Sequence, residues 1–88
     1  MKLVDGFEIV NIVDDYVLVP IGEQMEQFNG TVVLNAVSAF LLEKMKDDVD
    51  EEELINYVVE EFDVDIERAK TDVKNVLKEM IEIGIVHE

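Results

Sequence analysis

The chain has 88 residues, 49% of them hydrophobic, no cysteine and a formal net charge of −15. That length holds one domain, residues 1–88, around one core, and the lack of cysteine excludes disulfides, thiolate catalysis, Cys-ligated zinc and iron–sulfur clusters. The charge opposes nucleic acid and anionic lipid, which bind proteins that supply cations.

The segment Met1–Asp5 lacks the basic-then-apolar pattern of a secretory signal. No apolar run approaches the roughly 18–20 residues that span a bilayer. The expectation is a soluble protein of the reducing cytoplasm.

In chain order, the β-branched run 7–13 and the run Tyr16–Ile21 flank Asp14-Asp15, which predicts a hairpin turning at those two aspartates. Pro20 cannot donate to a ladder and marks the end of the second strand. A polar connection, Gly22 to Gly30, carries Met25 and Phe28 and leads to a short third strand, Thr31–Leu34. This Gly-led strand runs directly into a helix, and its place at a sheet edge would leave backbone groups open to another chain.

Asn35 caps the first helix, whose apolar positions are Val37, Phe40, Leu41 and Met45. Asp50 with Glu53 has the spacing of a capping box for the second helix; its apolar positions are Leu54, Ile55, Val58, Val59 and Phe62. Asp65 caps the third and longest helix. Ile66, Ala69, Val73, Val76, Leu77, Met80, Ile81 and Ile83 recur there near the helical period, and Gly84 is placed to end it. The pattern β-β-β-α-α-α, strands segregated from helices, predicts an α+β domain.

These residues resemble PqqD-like proteins, the pyrroloquinoline quinone biosynthesis protein D family. Tyr16-Val17-Leu18-Val19-Pro20, Val33-Leu34-Asn35 and Ala39-Phe40-Leu41 match the opening half. Glu60 to Asp65, Asp72-Val73 and Gly84-Ile85-Val86 match the closing half. The resemblance implies a winged-helix-like fold with a three-stranded antiparallel sheet followed by three helices. It implies a precursor-peptide recognition element, which binds the leader of a ribosomally made peptide and presents it to a modifying enzyme, often a radical S-adenosylmethionine enzyme. The leader adds as a strand to the third strand, in the groove between it and the third helix. Carried over, those elements are Thr31–Leu34 and the helix starting at Ile66; the peptide-binding residues expected on them are Thr31, Val32, Val33 and Leu34 on the strand and Arg68, Lys70, Asp72, Val73, Val76 and Leu77 on the helix. Phe40 stands where the family often has an aromatic residue. The family name refers to a quinone pathway, but relatives serve other peptides, so quinone biosynthesis is not implied.

The third helix carries Arg68, Lys70, Lys74 and Lys78, four of the seven basic residues. The lysines at i, i+4 and i+8 form one line, readable as a rail for an acidic ligand or as a solvated face balanced by carboxylates and by Lys78–Glu82. The apolar arc of this helix spans about 160° at 100° per residue, wider than the stripe a surface helix needs. Val76, Leu77 or Ile81 would then line a groove, unless the helix packs on two sides. The acidic run Asp47–Glu53 lacks the glycine and distal glutamate of a calcium loop; it reads as a solvated loop feeding a helix cap, not a metal site. His87 and Ser38, the only residues of their types, have no catalytic partner in spacing, so no enzyme and no cofactor are expected. Two other functions remain open. One is a winged-helix DNA-binding regulator using the third helix, and the other is a homodimer joined through the strand edge.

Overall fold

The computed structural model describes residues 1–28 and 30–87. Its elements are β1 (Lys2–Leu3), β2 (Phe7–Ile12), β3 (Asp15–Pro20), α1 (Gln24–Gln27), β4 (Val32–Leu34), α2 (Ala36–Lys44), α3 (Glu51–Phe62), α4 (Ile66–Ile83) and β5 (Val86–His87). The expected third strand is β4, and the three expected helices are α2, α3 and α4. Strands β2, β3 and β4 form an antiparallel sheet in that order. The expected winged-helix-like α+β class therefore holds. It gains a one-turn helix in the polar connection and a small second sheet in which β1 pairs with β5.

The helix starts follow from side chains that satisfy amide groups the helix leaves unpaired. The Ser38 N–H donates to Asn35 Oδ1 at 2.8 Å, and the Arg68 N–H to Asp65 Oδ1 at 2.8 Å. At α3 the Glu53 N–H donates to Asp50 Oδ1 (2.8 Å) and the Asp50 N–H donates back to Glu53 Oε1 (3.4 Å), completing the capping box. Gly84 closes α4 with φ of 92°, its N–H reaching the Met80 and Ile81 carbonyls. A residue with a Cβ would be strained there.

The hairpin differs from expectation by one residue. Ile12 pairs with Asp15, so the turn residues are Val13 and Asp14, and Asp15 opens β3. Val13 takes φ of 57°, the only β-branched residue among the described residues with positive φ. Asp14-Asp15 looked more turn-like, but the pairing of Phe7, Ile9 and Leu18 on one face fixes the register, since a slip by one would turn every side chain over. A β-branched residue in this conformation costs about 1–2 kcal/mol. Val13→Gly removes that strain against an entropic cost of about 0.5–1 kcal/mol. The expected result is a melting temperature a few degrees higher by calorimetry; a lower one would contradict the turn geometry.

The sheet's inner face carries Phe7, Ile9, Leu18, Val32 and Leu34 against the helices, and Leu41, Leu42, Met45, Leu54 and Val58 are wholly buried beneath it. Phe28 lies edge-on to Phe7 with centroids 5.0 Å apart, which holds the polar connection to the core. The Leu3 N–H donates to the Met45 carbonyl and the Val4 N–H to the Ile85 carbonyl, so β1 ties the end of α2 to the end of α4. Among the described residues no helix is long and apolar enough to cross a membrane.

Candidate functional site

Antiparallel strands alternate between pairs that exchange hydrogen bonds and pairs that do not. Two features set the phase here. Ile12 and Asp15 flank a two-residue turn, which makes them a bonded pair. At the other end the Ile21 N–H donates to the Gly6 carbonyl at 2.7 Å, the same phase. Counting inward, Val17 and Val19 turn their peptide groups toward β2, whereas Tyr16, Leu18 and Pro20 turn theirs away from it. Pro20 thus sits where no N–H to β2 is required.

The register of β4 completes the assignment. Tyr16 lies opposite Leu34, Val17 opposite Val33 and Leu18 opposite Val32. Val32 and Leu34 therefore exchange bonds with β3, while the N–H and C=O of Val33 point to the other side. Among the described residues β3 is the only sheet partner of β4. Val33 thus presents an unpaired main-chain donor and acceptor at a sheet edge, with a side chain 73% exposed. Thr31 lies just outside the strand and is exposed.

The helix side differs more from the sequence-based expectation. Val73, Val76 and Leu77 are core residues, with 0%, 7% and 4% of their surface exposed. The buried positions of α4, Ala69, Val73, Val76, Leu77 and Met80, span about 100° at 100° per residue. That is an ordinary core stripe. The apparent width came from Ile83, exposed at the C-terminal end of the helix, and Ile81, half-buried at the other border. Ile81 and Ile83, not Val76 or Leu77, are the apolar residues that α4 offers at the borders of its core stripe.

The polar residues fall on two flanks. Lys70, Lys74 and Lys78 lie beside Ile81, and Arg68 and Asp72 lie across the stripe, with Lys70 and Asp72 about 160° apart. Arg68 Nε is 3.6 Å from Asp72 Oδ2, and Lys70 Nζ is 3.8 Å from Glu67 Oε1. The expected Lys78–Glu82 pair does not form within the 4.0 Å of an ion pair among the described residues. Such exposed pairs contribute little to stability. The rail is therefore Lys74 and Lys78 with a partly engaged Lys70, and Arg68 is not part of it. Helix α2 packs against β3 and β4 and also against α4.

A concavity lies on the inner face of the sheet, toward its other edge. A cleft of about 550 Å³ opens under the inner face of β2, lined by Ile9, Asn11 and Tyr16 from the sheet and Phe40, Lys44 and Phe62 from the helices. Phe40 meets Phe62 edge-on at 5.4 Å between centroids. Lys44 Nζ stands 5.3 Å from the Phe40 ring and 4.7 Å from the Tyr57 ring, a cation–π arrangement. Sequence reasoning reached Phe40 but missed this cleft, because it needs the C-terminal end of α3 brought under β2. Asp50 and Glu53 of the acidic run serve the α3 cap described above. Ser38 is buried in the first turn of α2 and His87 is exposed on β5.

A search of curated proteins finds no match. Among solved structures, TbiB1 in complex with the TbiA(beta) leader peptide superposes with a TM-score of 0.75 at 21% identity, over 97% of this chain and 93% of that one. Lasso peptide synthetase B1 complexed with the leader peptide superposes with a TM-score of 0.73 at 16% identity, over 99% and 96% of the two chains. At these identities the likeness is one of fold. The family model described as coenzyme PQQ synthesis protein D matches residues 15–86, from the first residue of β3 through the first of β5. The chain belongs to that PqqD family.

Proposed function

We propose that the protein binds the leader of a ribosomally synthesised precursor peptide by strand addition to β4 and presents it, without catalysis of its own, to a modifying enzyme. The observation that carries this reading is the outward-facing N–H and C=O of Val33 at an edge that, among the described residues, only β3 pairs. Strand addition draws attraction from the main chain and selectivity from alternate side chains. Membership of the PqqD family supports the reading, as do the two solved relatives of the same fold, both of which are complexes with a leader peptide.

Magnitudes limit what the edge does alone. Each main-chain hydrogen bond contributes about 0.5–1.5 kcal/mol net, whereas ordering a peptide residue costs about 1–2 kcal/mol. Val33 offers one donor and one acceptor, with only Thr31 and the Asn35 N–H flanking it in phase. The backbone sets register, and side chains lodged between β4 and α4 supply the affinity. On α4, Ile81 with Lys74 and Lys78 borders the core stripe on one flank, and Ile83 with Arg68 and Asp72 borders it on the other. Thr31, Val32, Val33 and Leu34 form the strand wall of this site. Arg68 and Asp72 lie on the opposite flank from the lysines, and Val73, Val76 and Leu77 act from within the core by holding α4 in place.

The modifying enzyme fits best as a radical S-adenosylmethionine enzyme or another peptide maturase in the cytoplasm, with the present chain a cofactor-free accessory. A DNA-binding role is less favoured. Two of the four basic residues of α4 already face carboxylates, and the net charge of −15 repels phosphate. A homodimer through β4 would occupy the same edge, and leader peptide would dissolve it.

The test is a titration of isotope-labelled protein with the leader of a short precursor peptide encoded beside its gene, followed by amide shifts. Shifts centred on Val32–Leu34 and on α4 are expected. Shifts centred instead on Ile9, Asn11, Phe40 and Phe62 would move the site to the β2 cleft and refute the edge.

A further inference from the structure

We infer that the bound peptide places an aliphatic, preferably β-branched, side chain outward at the one position in register with Val33. There it continues the row Val10–Val17–Val33 across the outer face of the sheet. The inference rests on the edge reading proposed above and adds what that edge selects.

The outer face is built from every second residue of the three strands. Val10 lies opposite Val17, and Val17 opposite Val33, so three valines form one straight row perpendicular to the strands. Ile12, on the same face beside Val10, is 54% exposed, and Val33 at the open end is 73% exposed. This face is open at Val10, Ile12 and Val33, and the sheet's main helical contacts come from α2, on the side of buried Leu18 and Leu34. A strand added at β4 must alternate. Its residues beside Val32 and Leu34 turn inward toward α2 and α4, and the residue level with Val33 turns outward. This holds whether the peptide runs parallel or antiparallel to β4, since the face depends on register alone.

The outward residue gains most if it covers Val33. Cross-strand neighbours on one face interact directly, and aliphatic pairs are favoured over alanine by roughly two- to fivefold. Acidic residues are disfavoured, because Glu8 and Asp15 lie on the same face and the whole chain carries −15. A second apolar row, without any contact to a helix, thus reads the peptide from the outside.

A displayed library of random linear peptides, selected separately on the full chain and on Val33→Lys, tests this. Val33 is exposed at an edge, where lysine is well tolerated, and Val33→Lys keeps the main-chain N–H that binds. Peptides selected on the unmodified chain should align with one column rich in valine, isoleucine and leucine. On Val33→Lys that same column should turn to aspartate and glutamate while the flanking columns stay as they were. Val33→Thr, similar in shape and uncharged, should keep the original column. The inference is overturned if selected peptides move the Val32–Leu34 amides but show the same composition on all three proteins. If they leave those amides unmoved, the edge reading itself fails and this inference falls with it.

Discussion

Gly6→Ala is expected to lower stability by about 2–3 kcal/mol, the size of a change that adds backbone strain to a steric collision. Gly6 holds φ of 97° at the entry to β2, where an L side chain is strained whatever the space around it. The space is also taken. A Cβ built on Gly6 would collide with Gln24 Cγ and sit 3.3 Å from Gln24 Cβ and 3.4 Å from the Ile21 carbonyl oxygen. Gln24 cannot swing away freely, because its Nε2 donates to the Asp5 carbonyl at 3.2 Å. Gly6 itself accepts from the Ile21 N–H, the bond that closes the β2–β3 ladder. At about 4–8 °C per kcal/mol for a domain of this size, the melting temperature should fall by roughly 10–20 °C. Adding Gln24→Ala should recover the steric part but not the part due to φ. A single variant melting within about 2 °C of the parent would refute the close approach.

Proline at neighbouring positions of β4 should have opposite consequences. Val33→Pro removes an N–H that no strand among the described residues uses, so the fold should survive with a near-parental melting temperature. Its peptide affinity should drop about 30–150-fold, because a lost bond and an unsatisfied peptide carbonyl together cost about 2–3 kcal/mol. Val32→Pro removes a donor to Leu18 instead and should unsettle the sheet itself. Calorimetry and peptide titration on the pair separate the two effects. Equal loss of fold in both variants would mean that the phase of β4 is wrong. Unchanged affinity in a folded Val33→Pro would mean that the peptide does not pair there.

Much of this fold was legible because its signals are local. Asn35, Asp50 with Glu53, Asp65 and Gly84 each act within one helical turn of themselves, and each occupies the capping position its chemistry predicts. Pro20 ends β3 as expected. The missed elements depend on distant contacts. β1 and β5 are two residues each, too short to show a period, and exist because the ends of α2 and α4 bring them together. The turn at Val13 was missed for a different reason. Local preference favours aspartate there, and the buried face of the sheet overrides it.

The candidate site divides along the same line. The motifs of the strand wall stand in the sequence, and so does the resemblance that gives them a role. Which peptide groups are unpaired does not, since it follows from a register set by two hydrogen-bonded ends of a hairpin. On the helix wall, periodicity alone could not tell a wide core stripe from a narrow one with apolar residues frayed at its ends. Periodicity therefore places Val76 and Leu77 in a groove, whereas they lie buried in the core and Ile81 is half-buried at its border.

Amide hydrogen exchange at Val33 tests the open edge most directly. In the protein alone, the Val33 N–H should exchange rapidly while those of Val32 and Leu34 are protected by β3. At saturation with the tightest peptide from the selection, the Val33 N–H should become protected as well. A Val33 amide already protected without peptide would contradict the account. So would one that stays unprotected while the outward amides of β2, at Ile9 and Asn11, become slow.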